Sequence, residues 1–576
     1  MVTNRTPPPP VAAEVSAALA DVAAATGVGV EWEPGEPAKS PTTLFVAGHR
    51  IELPRLWGER QELLGTQGFV PTVPRADDRD KLLWRIYQEA SADPTPDRWP
   101  NPPLDLELEE KFRAELPLPP GEVREAVADA LVDRFYSRKQ ARVLLPLQAV
   151  LPANYAHSTR TRQPARYRMF SGILLPFLLW DEPRSEFDRD LMDRVLRVID
   201  GNSDLTRLDE LLLDVASATA ANPEAVPNAE SLLNKYGAAI RADMSDAGGP
   251  FCAPALARFR RDLDTVLSTD LPRSDKVAWL TLLISLHIGL WMYRGALVKG
   301  AQLDAVIAAA ADVAAPEVEG CHAHRAGCDP TSLRECPMAG AIEFRTGTGR
   351  YEPIRLRDGA RSSYASLDQR WLHSLPATLI TLNLATLAWS GLRNAEATTI
   401  RDVTPLVSQL RVDAEFRKTF DAACAAIAVI HHAAHRGPAA LRHELADAGQ
   451  VGRLRPGVYA LREDVLRLRR RDLRHQSRDI LNQLLFVENT GAGSLINRNG
   501  NIAYYEIDER LLQLLVRLVC RDDPVPLAEF LLGLKEYGLV PQSPQERNRL
   551  ADALERLGLL VRYSDAGESA YVHYPH

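Results

Sequence analysis

The sequence predicts a mainly α, multi-helical protein. Three observations carry this. Apolar residues recur at three-and-four spacing through most of the chain from residue 121 onward, the period of a helix with one buried face. Strand-like alternation is confined to short pieces near the two ends. No repeat of fixed period runs along the chain, which argues against a solenoid.

The elements follow in order. Residues 1–120 are proline-rich and mixed. Within them Thr42 to Val46, Gly48-His49 and Arg50 to Leu53 read as a small hairpin with a glycine turn, and Asp80 to Ala90 as a short amphipathic helix. From Pro119-Pro120-Gly121 the pattern turns helical. Glu122 to Arg138 carries Val123, Ala126, Val127, Ala130, Leu131 and Phe135 on one stripe. Helices are expected at 186–199, 208–216, 229–240, 256–267, 277–298 and 301–314, with an acid-free basic stretch at 155–168. Cys321 to Gly349 lacks helical periodicity and reads as a loop. Helices resume at 366–372, 376–390, 413–435 and 458–484, and residues 491–501 form a turn-rich break. The implied organisation is an N-terminal region (1–120), a helical domain (121–315), a Cys/His loop (316–350), a second helical domain (351–490) and a C-terminal unit (491–576).

Composition narrows the classes. At roughly 150 residues per domain, 576 residues give about three or four domains. Lys plus Arg is 68 against 76 Asp plus Glu, a formal charge of −8, so any nucleic-acid contact must come from a local patch. Six cysteines in so long a chain are too few for a disulfide framework, and a reducing cytoplasm is the simplest compartment. Residues 1–10 have no apolar segment with a cleavage site after them, so no signal peptide is expected. Val277 to Tyr293 and Leu375 to Leu392 are apolar and uncharged but short of the about 20 residues of a span, and they read as buried helices with no membrane contact.

Three of the six cysteines fall between 321 and 336. Cys321, His324, Cys328 and Cys336 are separated by two, three and seven residues, with Gly327 and Pro330 to turn the chain. Zinc takes four such ligands in a tetrahedron, and short gaps let a loop wrap the ion. The expectation is a structural zinc knuckle, with His322 as the alternative histidine ligand. Free thiols in a surface loop and an iron–sulfur cluster are the competing readings. His431, His432 and His435 stand near a helix end. His431 and His435 share a face as metal-binding pairs do, but no glutamate stands between them, and interaction with the helix dipole is the favoured role.

Between Arg453 and Arg478 nine arginines face three acids. On a helix Arg467, Arg470, Arg471, Arg474 and Arg478 share one face, where guanidinium forks suit phosphate oxygens. A solvated face and an acidic partner are the other readings.

The C-terminal unit is the most regular. Glu506 to Arg521 and Leu527 to Tyr537 read as helices. Ser543-Pro544-Gln545-Glu546 is a capping box opening a third helix that Gly558 ends. Leu559 to Tyr563 and Ser569 to His573 then read as paired strands across a Ser564–Gly567 turn. Three helices followed by a hairpin is the winged-helix order. Arg547 and Arg549 on the third helix are candidate nucleic-acid or partner contacts, but with Arg556 they are balanced by Glu546, Asp552 and Glu555, and the wing carries Asp565 and Glu568, so the helix reads as neutral and a poor phosphate binder. Winged helices dock DNA and proteins alike.

No phosphate-binding loop, dinucleotide fingerprint or serine elbow occurs in the sequence, and no catalytic residue is assigned. The segment 557–569, Leu-Gly-Leu-Leu-Val-Arg-Tyr-Ser-Asp-Ala-Gly-Glu-Ser, looks like the winged-helix tails of bacterial genome-defence subunits. Together with a long helical body and a Cys-rich knuckle, it resembles the G subunit of phosphorothioation-dependent restriction systems. That resemblance implies work beside other defence subunits and a HerA-type ATPase, with DNA as a possible ligand. It carries over no catalytic residue. The reading is therefore a non-catalytic DNA- or partner-binding subunit of an anti-phage defence complex. The alternatives are a winged-helix transcription regulator and a metal-dependent enzyme acting on nucleic acid.

Overall fold

A computed structural model describes residues 9–33, 42–53, 114, 119–135, 180–181, 186–200, 253–314, 342–346, 369–394, 403–435, 456–468, 496–499, 502–563 and 570–574. Of these, 71% are helical, so the protein is mainly α. The expected helices at 80–90, 208–216 and 229–240, the basic stretch at 155–168, the knuckle at 321–336 and the turn at 564–567 lie outside the described residues.

The N-terminal region holds α1 (Pro9–Thr26), β1 (Val30–Glu33), β2 (Thr42–Val46) and β3 (His49–Leu53). The hairpin β2–β3 is the expected one, and its turn puts both Ala47 (φ 50°) and Gly48 (φ 80°) in the left-handed region that two-residue hairpin turns require. Helix α1 was not expected. Its first residues are Pro9 and Pro10, which a helix tolerates in its first turn because those N–H groups have no intrahelical partner. After the short helix α2 (Glu122–Phe135) come the strand pair β4 (Trp180–Asp181) and β5 (Glu186–Phe187), then α3 (Arg189–Asp200) and α4 (Ala253–Ser268).

Two long helices form the frame. Helix α5 (Arg273–Ala310) is one 38-residue rod where two helices were expected, and α6 (Gln369–Leu392) runs through Pro376 without ending. Burial explains both. Gly300 and Pro376 are weak points only for an isolated helix, and tertiary packing overrides that propensity. A window of α6, Ser374–Leu392, is long and apolar enough to cross a membrane, but 89% of it is buried inside the protein as a core helix.

The apolar residues sort into two cores, and α5 and α6 contribute to both. In one, Leu303, Val306 and Ala309 of α5 meet the α6 residues Ile380, Leu384 and Ala388. The same core holds α1, the β1–β2–β3 sheet, α7 (Thr404–Val412), α8 (Ala414–His435) and α9 (Gly457–Leu468). Gly391 of α6 lies so close to β3 that a Cβ there would come within 2.6 Å of Ile51 Cγ1. In the other core, Leu280 to Leu290 of α5 join α3, α4 and the C-terminal unit from Tyr505 onward.

That unit comprises β7 (Ile496–Asn499), β8 (Ile502–Ile507), α10 (Glu509–Cys520), β9 (Val525–Pro526), α11 (Leu527–Glu536), β10 (Leu539–Pro541), α12 (Pro544–Arg556), β11 (Leu560–Arg562) and β12 (Ala570–Val572). Its three helices lie where the sequence puts them. Strands β11 and β12 pair antiparallel, and β9 adds to β12 to give a sheet of order β11-β12-β9. The expected break at 491–501 contains a hairpin instead, β7 pairing with β8 from Ile496↔Tyr505 to Asn499↔Ile502. The larger surprise is β6 (Ile342–Thr346), in a stretch read as loop. It lies parallel between β10 and β8 in a sheet of order β10-β6-β8-β7. Ile342, Phe344 and Thr346 point inward by simple alternation, and Phe344 has no exposed surface. A strand from the middle of the chain thus completes the C-terminal unit. Accordingly, residues 491–576 produced alone should show no cooperative thermal transition, and Phe344→Ala in the full chain should lower the unfolding free energy by about 3–5 kcal/mol in urea melts.

Candidate functional site

Three places gather chemistry-bearing side chains. The first is the contact between α8 and α9. These helices run in the same direction, since Asp421 meets Gly457 at one end and His431 and His432 meet Asp464 further along. Gly457 permits the approach, because any Cβ there would collide with the Asp421 carbonyl oxygen. Its N–H donates to the Asp421 carboxylate. Further along, His431 Nδ1 lies 2.8 Å from Asp464 Oδ2 and His432 Nδ1 lies 2.7 Å from Asp464 Oδ1. A carboxylate only accepts, so each imidazole carries its proton on Nδ1. All three side chains are buried. Burial opposes the ionised form of Asp464, yet the two imidazoles hold its carboxyl below the ordinary value. The histidine pair seen to converge is 431 with 432, on a carboxylate of the neighbouring helix; the side chain of His435 lies outside the described residues.

Arg467 sits at the edge of this cluster. Its Nη2 lies 3.5 Å from Asp464 Oδ1 and 3.3 Å from His432 Nδ1, with 43% of the side chain exposed. The first residue of the arginine face is thus partly turned onto its own helix. Arg470, Arg471, Arg474 and Arg478 lie outside the described residues, as do Cys321, His324, Cys328 and Cys336. Among the described residues, no group of three or more His, Cys, Asp and Glu side chains is placed to hold a metal ion. The described cysteines, Cys424 and Cys520, are buried thiols, and burial pushes both up from the ordinary thiol value.

The second place joins the C-terminal unit to the helical body. Asp262 of α4, 1% exposed, accepts from Tyr537 Oη at 2.8 Å, from His287 Nε2 at 3.0 Å and from Arg258 Nε at 3.1 Å. Arg258 also donates to Tyr537 Oη from Nη2 at 2.8 Å and pairs with Glu536. Arg294 Nη2 donates to the Glu536 carbonyl at 3.0 Å. Arg258 thereby meets two carboxylates while Arg294 meets a main-chain carbonyl, and with His287 neutral the two guanidinium groups balance the charges of Asp262 and Glu536. Burial pushes His287 below its ordinary value against the pull of Asp262, and pushes the Tyr537 phenol well up. This arrangement fixes the end of α11 on α4 and α5.

The third place is α12 and the strand beside it. Ser543 caps α12 as expected, its Oγ accepting from the Glu546 N–H at 3.2 Å. Glu546, however, does not turn back on the cap. It is buried at 5% exposure. Its Oε2 accepts from the Thr346 N–H of β6 at 3.4 Å, and its Oε1 meets Arg549 Nη1 at 3.0 Å and Arg345 Nε at 3.8 Å. Arg562 of β11 reaches Glu555 Oε2 at 3.1 Å and Asp552 Oδ1 at 3.8 Å. Arg547, Arg549 and Arg556 all face solvent. Sequence reasoning found Arg547 and Arg549 but missed Arg562. The strand pattern put Arg562 on the wing, and only the register of β11 beside α12 shows which acids it covers.

No protein-family model matches the chain, and a search of curated proteins finds no match for it.

Two outcomes follow from the buried acids. Burial raises the Asp421 carboxyl to about 6, against the backbone hydrogen bond from Gly457. Between about pH 4 and 6 the folded chain keeps a proton that the unfolded chain has released, so stability falls as pH rises through that window. Asp421→Asn keeps an acceptor for Gly457. It should add about 3 kcal/mol at pH 8 and nothing at pH 3.5, in paired urea melts at the two pH values. Asp262→Ala leaves Arg258 with Glu536 alone and takes the acceptor from Tyr537 and His287, and it should cost about 3–5 kcal/mol, with earlier proteolysis in the C-terminal unit.

Proposed function

We propose that this chain is a non-catalytic subunit of a bacterial DNA-targeting defence assembly, acting by docking DNA or partner subunits through its C-terminal unit. One observation carries the reading. The order α10, β9, α11, β10, α12, β11, β12, with the sheet β11-β12-β9 at its edge, resembles that of a winged helix apart from β10, and it leaves the outer side of α12 in solvent. The resemblance of residues 557–569 to the tails of genome-defence subunits points the same way, with a HerA-type ATPase as the expected partner.

The buried His431–His432–Asp464 and Arg258–Asp262–Tyr537 clusters support a scaffold, since each ties helices together where no solvent reaches. The zinc reading belongs to the same proposal. Cys321, His324, Cys328 and Cys336 would form a closed structural site a few residues before β6, so that metal binding would help to fold the segment that leads into that strand. The face of Arg467, Arg470, Arg471, Arg474 and Arg478 would be a second contact with phosphates or an acidic partner.

Deleting the gene in a host that carries the system should raise phage plating efficiency by orders of magnitude, and the wild-type chain supplied in trans should reverse this. Purified protein should hold about one zinc per chain, lost in Cys328→Ser. Unchanged plating would remove the defence role, and unchanged zinc content would remove the knuckle.

A further inference from the structure

The Asp262 network closes a group that titrates near neutral pH between the helical body and the C-terminal unit. His287 of α5 is 6% exposed. Its Nε2 donates to Asp262 Oδ2 at 3.0 Å, the same oxygen that accepts from Tyr537 Oη at 2.8 Å. Phe259 of α4 meets the imidazole edge-on with ring centroids 5.0 Å apart, and Tyr537 does so at 6.1 Å. Asp262 only accepts, so the neutral ring carries its proton on Nε2, and a second proton goes on Nδ1.

The surrounding charges oppose that second proton. Among the described residues, α4 brings Asp262 and Arg258 to the ring, with the exposed Arg261 interacting with both at the rim. Helix α5 itself brings Arg294, two turns along from His287. The end of α11 brings Glu536 and Tyr537, which hold Arg258 and Asp262. Two carboxylates already balance Arg258 and Arg294, so an imidazolium here leaves a buried surplus of one positive charge. Burial works most strongly against the charged ring, the bond to Asp262 works for it, and Arg294 and Arg258 work against it. Solvent admitted by departure of Tyr537 and Glu536 returns the ring to the ordinary value of about 6.5.

We propose that this network is an acid-sensitive latch, in which a proton on His287 frees the end of α11 from α4 and α5. The closed latch binds the proton less readily than the open one. Latching is therefore complete above about pH 6.5 and weakens by about tenfold for each pH unit below it, until the closed form also takes the proton. Asp421, at the α8–α9 contact, acts in the opposite direction, since acid stabilises its buried carboxyl. The latch does not depend on what the C-terminal unit binds, so its failure leaves the subunit reading standing.

The test is hydrogen exchange of the full chain, read by mass spectrometry on peptides covering 527–541 and corrected for the pH dependence of intrinsic exchange. Wild-type protection there should fall about tenfold between pH 7.5 and pH 5.5. His287→Gln keeps an uncharged Nε2 donor for Asp262 and takes no second proton, so its protection should stay level. A parallel fall in both chains, or a level wild type, would overturn the latch. An equal fall in peptides of α8 would do the same, because it would report global unfolding. Should His287→Gln not fold, Arg294→Met removes one cation from beside the ring and should shrink the acid loss, and an undiminished loss in that variant would overturn the proposal.

Discussion

Five residues from the middle of the chain hold the C-terminal unit together. Strand β6 supplies hydrogen bonds to β10 on one side and β8 on the other, so neither has an open edge toward it. The Ile342 N–H donates to the Gly538 carbonyl at 2.6 Å and the Gln542 N–H to the Phe344 carbonyl at 3.1 Å. These bonds fix both ends of the β10 segment, and β10 joins α11 to α12. The Thr346 N–H then reaches the Glu546 carboxylate in the first turn of α12. The orientation of the exposed helix is thereby set by a strand about 200 residues earlier in the sequence, through main-chain groups of that strand and the one side chain of Glu546.

The buried polar groups follow a common rule. A carboxylate taken out of water needs several donors, and Asp464 and Asp262 are surrounded accordingly. Asp464 has two imidazoles and Asp262 has a phenol, an imidazole and a guanidinium. Asp421 has one backbone N–H from Gly457, and burial pushes it up toward neutral pH. Such networks add little net stability compared with apolar packing. Their effect is directional, because a donor set of this kind is satisfied in one arrangement of the helices.

How much of this was legible depended on the range of the interactions. The β2–β3 hairpin could be read because its cause, a glycine turn between two alternating runs, is local. The three C-terminal helices could be read because their caps and apolar stripes are local too. Strand β6 was missed although Ile342, Phe344 and Thr346 alternate correctly, since five residues next to a Cys-rich stretch form a strand only when partners from elsewhere accept them. The β7–β8 hairpin has a sequence signal too, since the two residues between Asn499 and Ile502 are Gly500-Asn501, a recognised turn pair. Helix α5 looked like two because Gly300 interrupts it, and its continuity comes from packing on α4 and α6. Of the site residues, Arg547 and Arg549 were visible on their helix. The Asp262 network was not, for Tyr537 lies 275 residues from that acid.

The long-range pairing of β6 has a consequence during synthesis. At about 5–20 residues per second, the ribosome needs roughly 8 to 30 s after Phe344 to deliver Tyr505, its parallel neighbour. For that interval the nascent chain carries an apolar strand whose two edges are both vacant. Such a strand invites pairing with other chains. Glu343 and Arg345, on the face opposite Ile342, Phe344 and Thr346, make aberrant pairing less favourable while the strand waits.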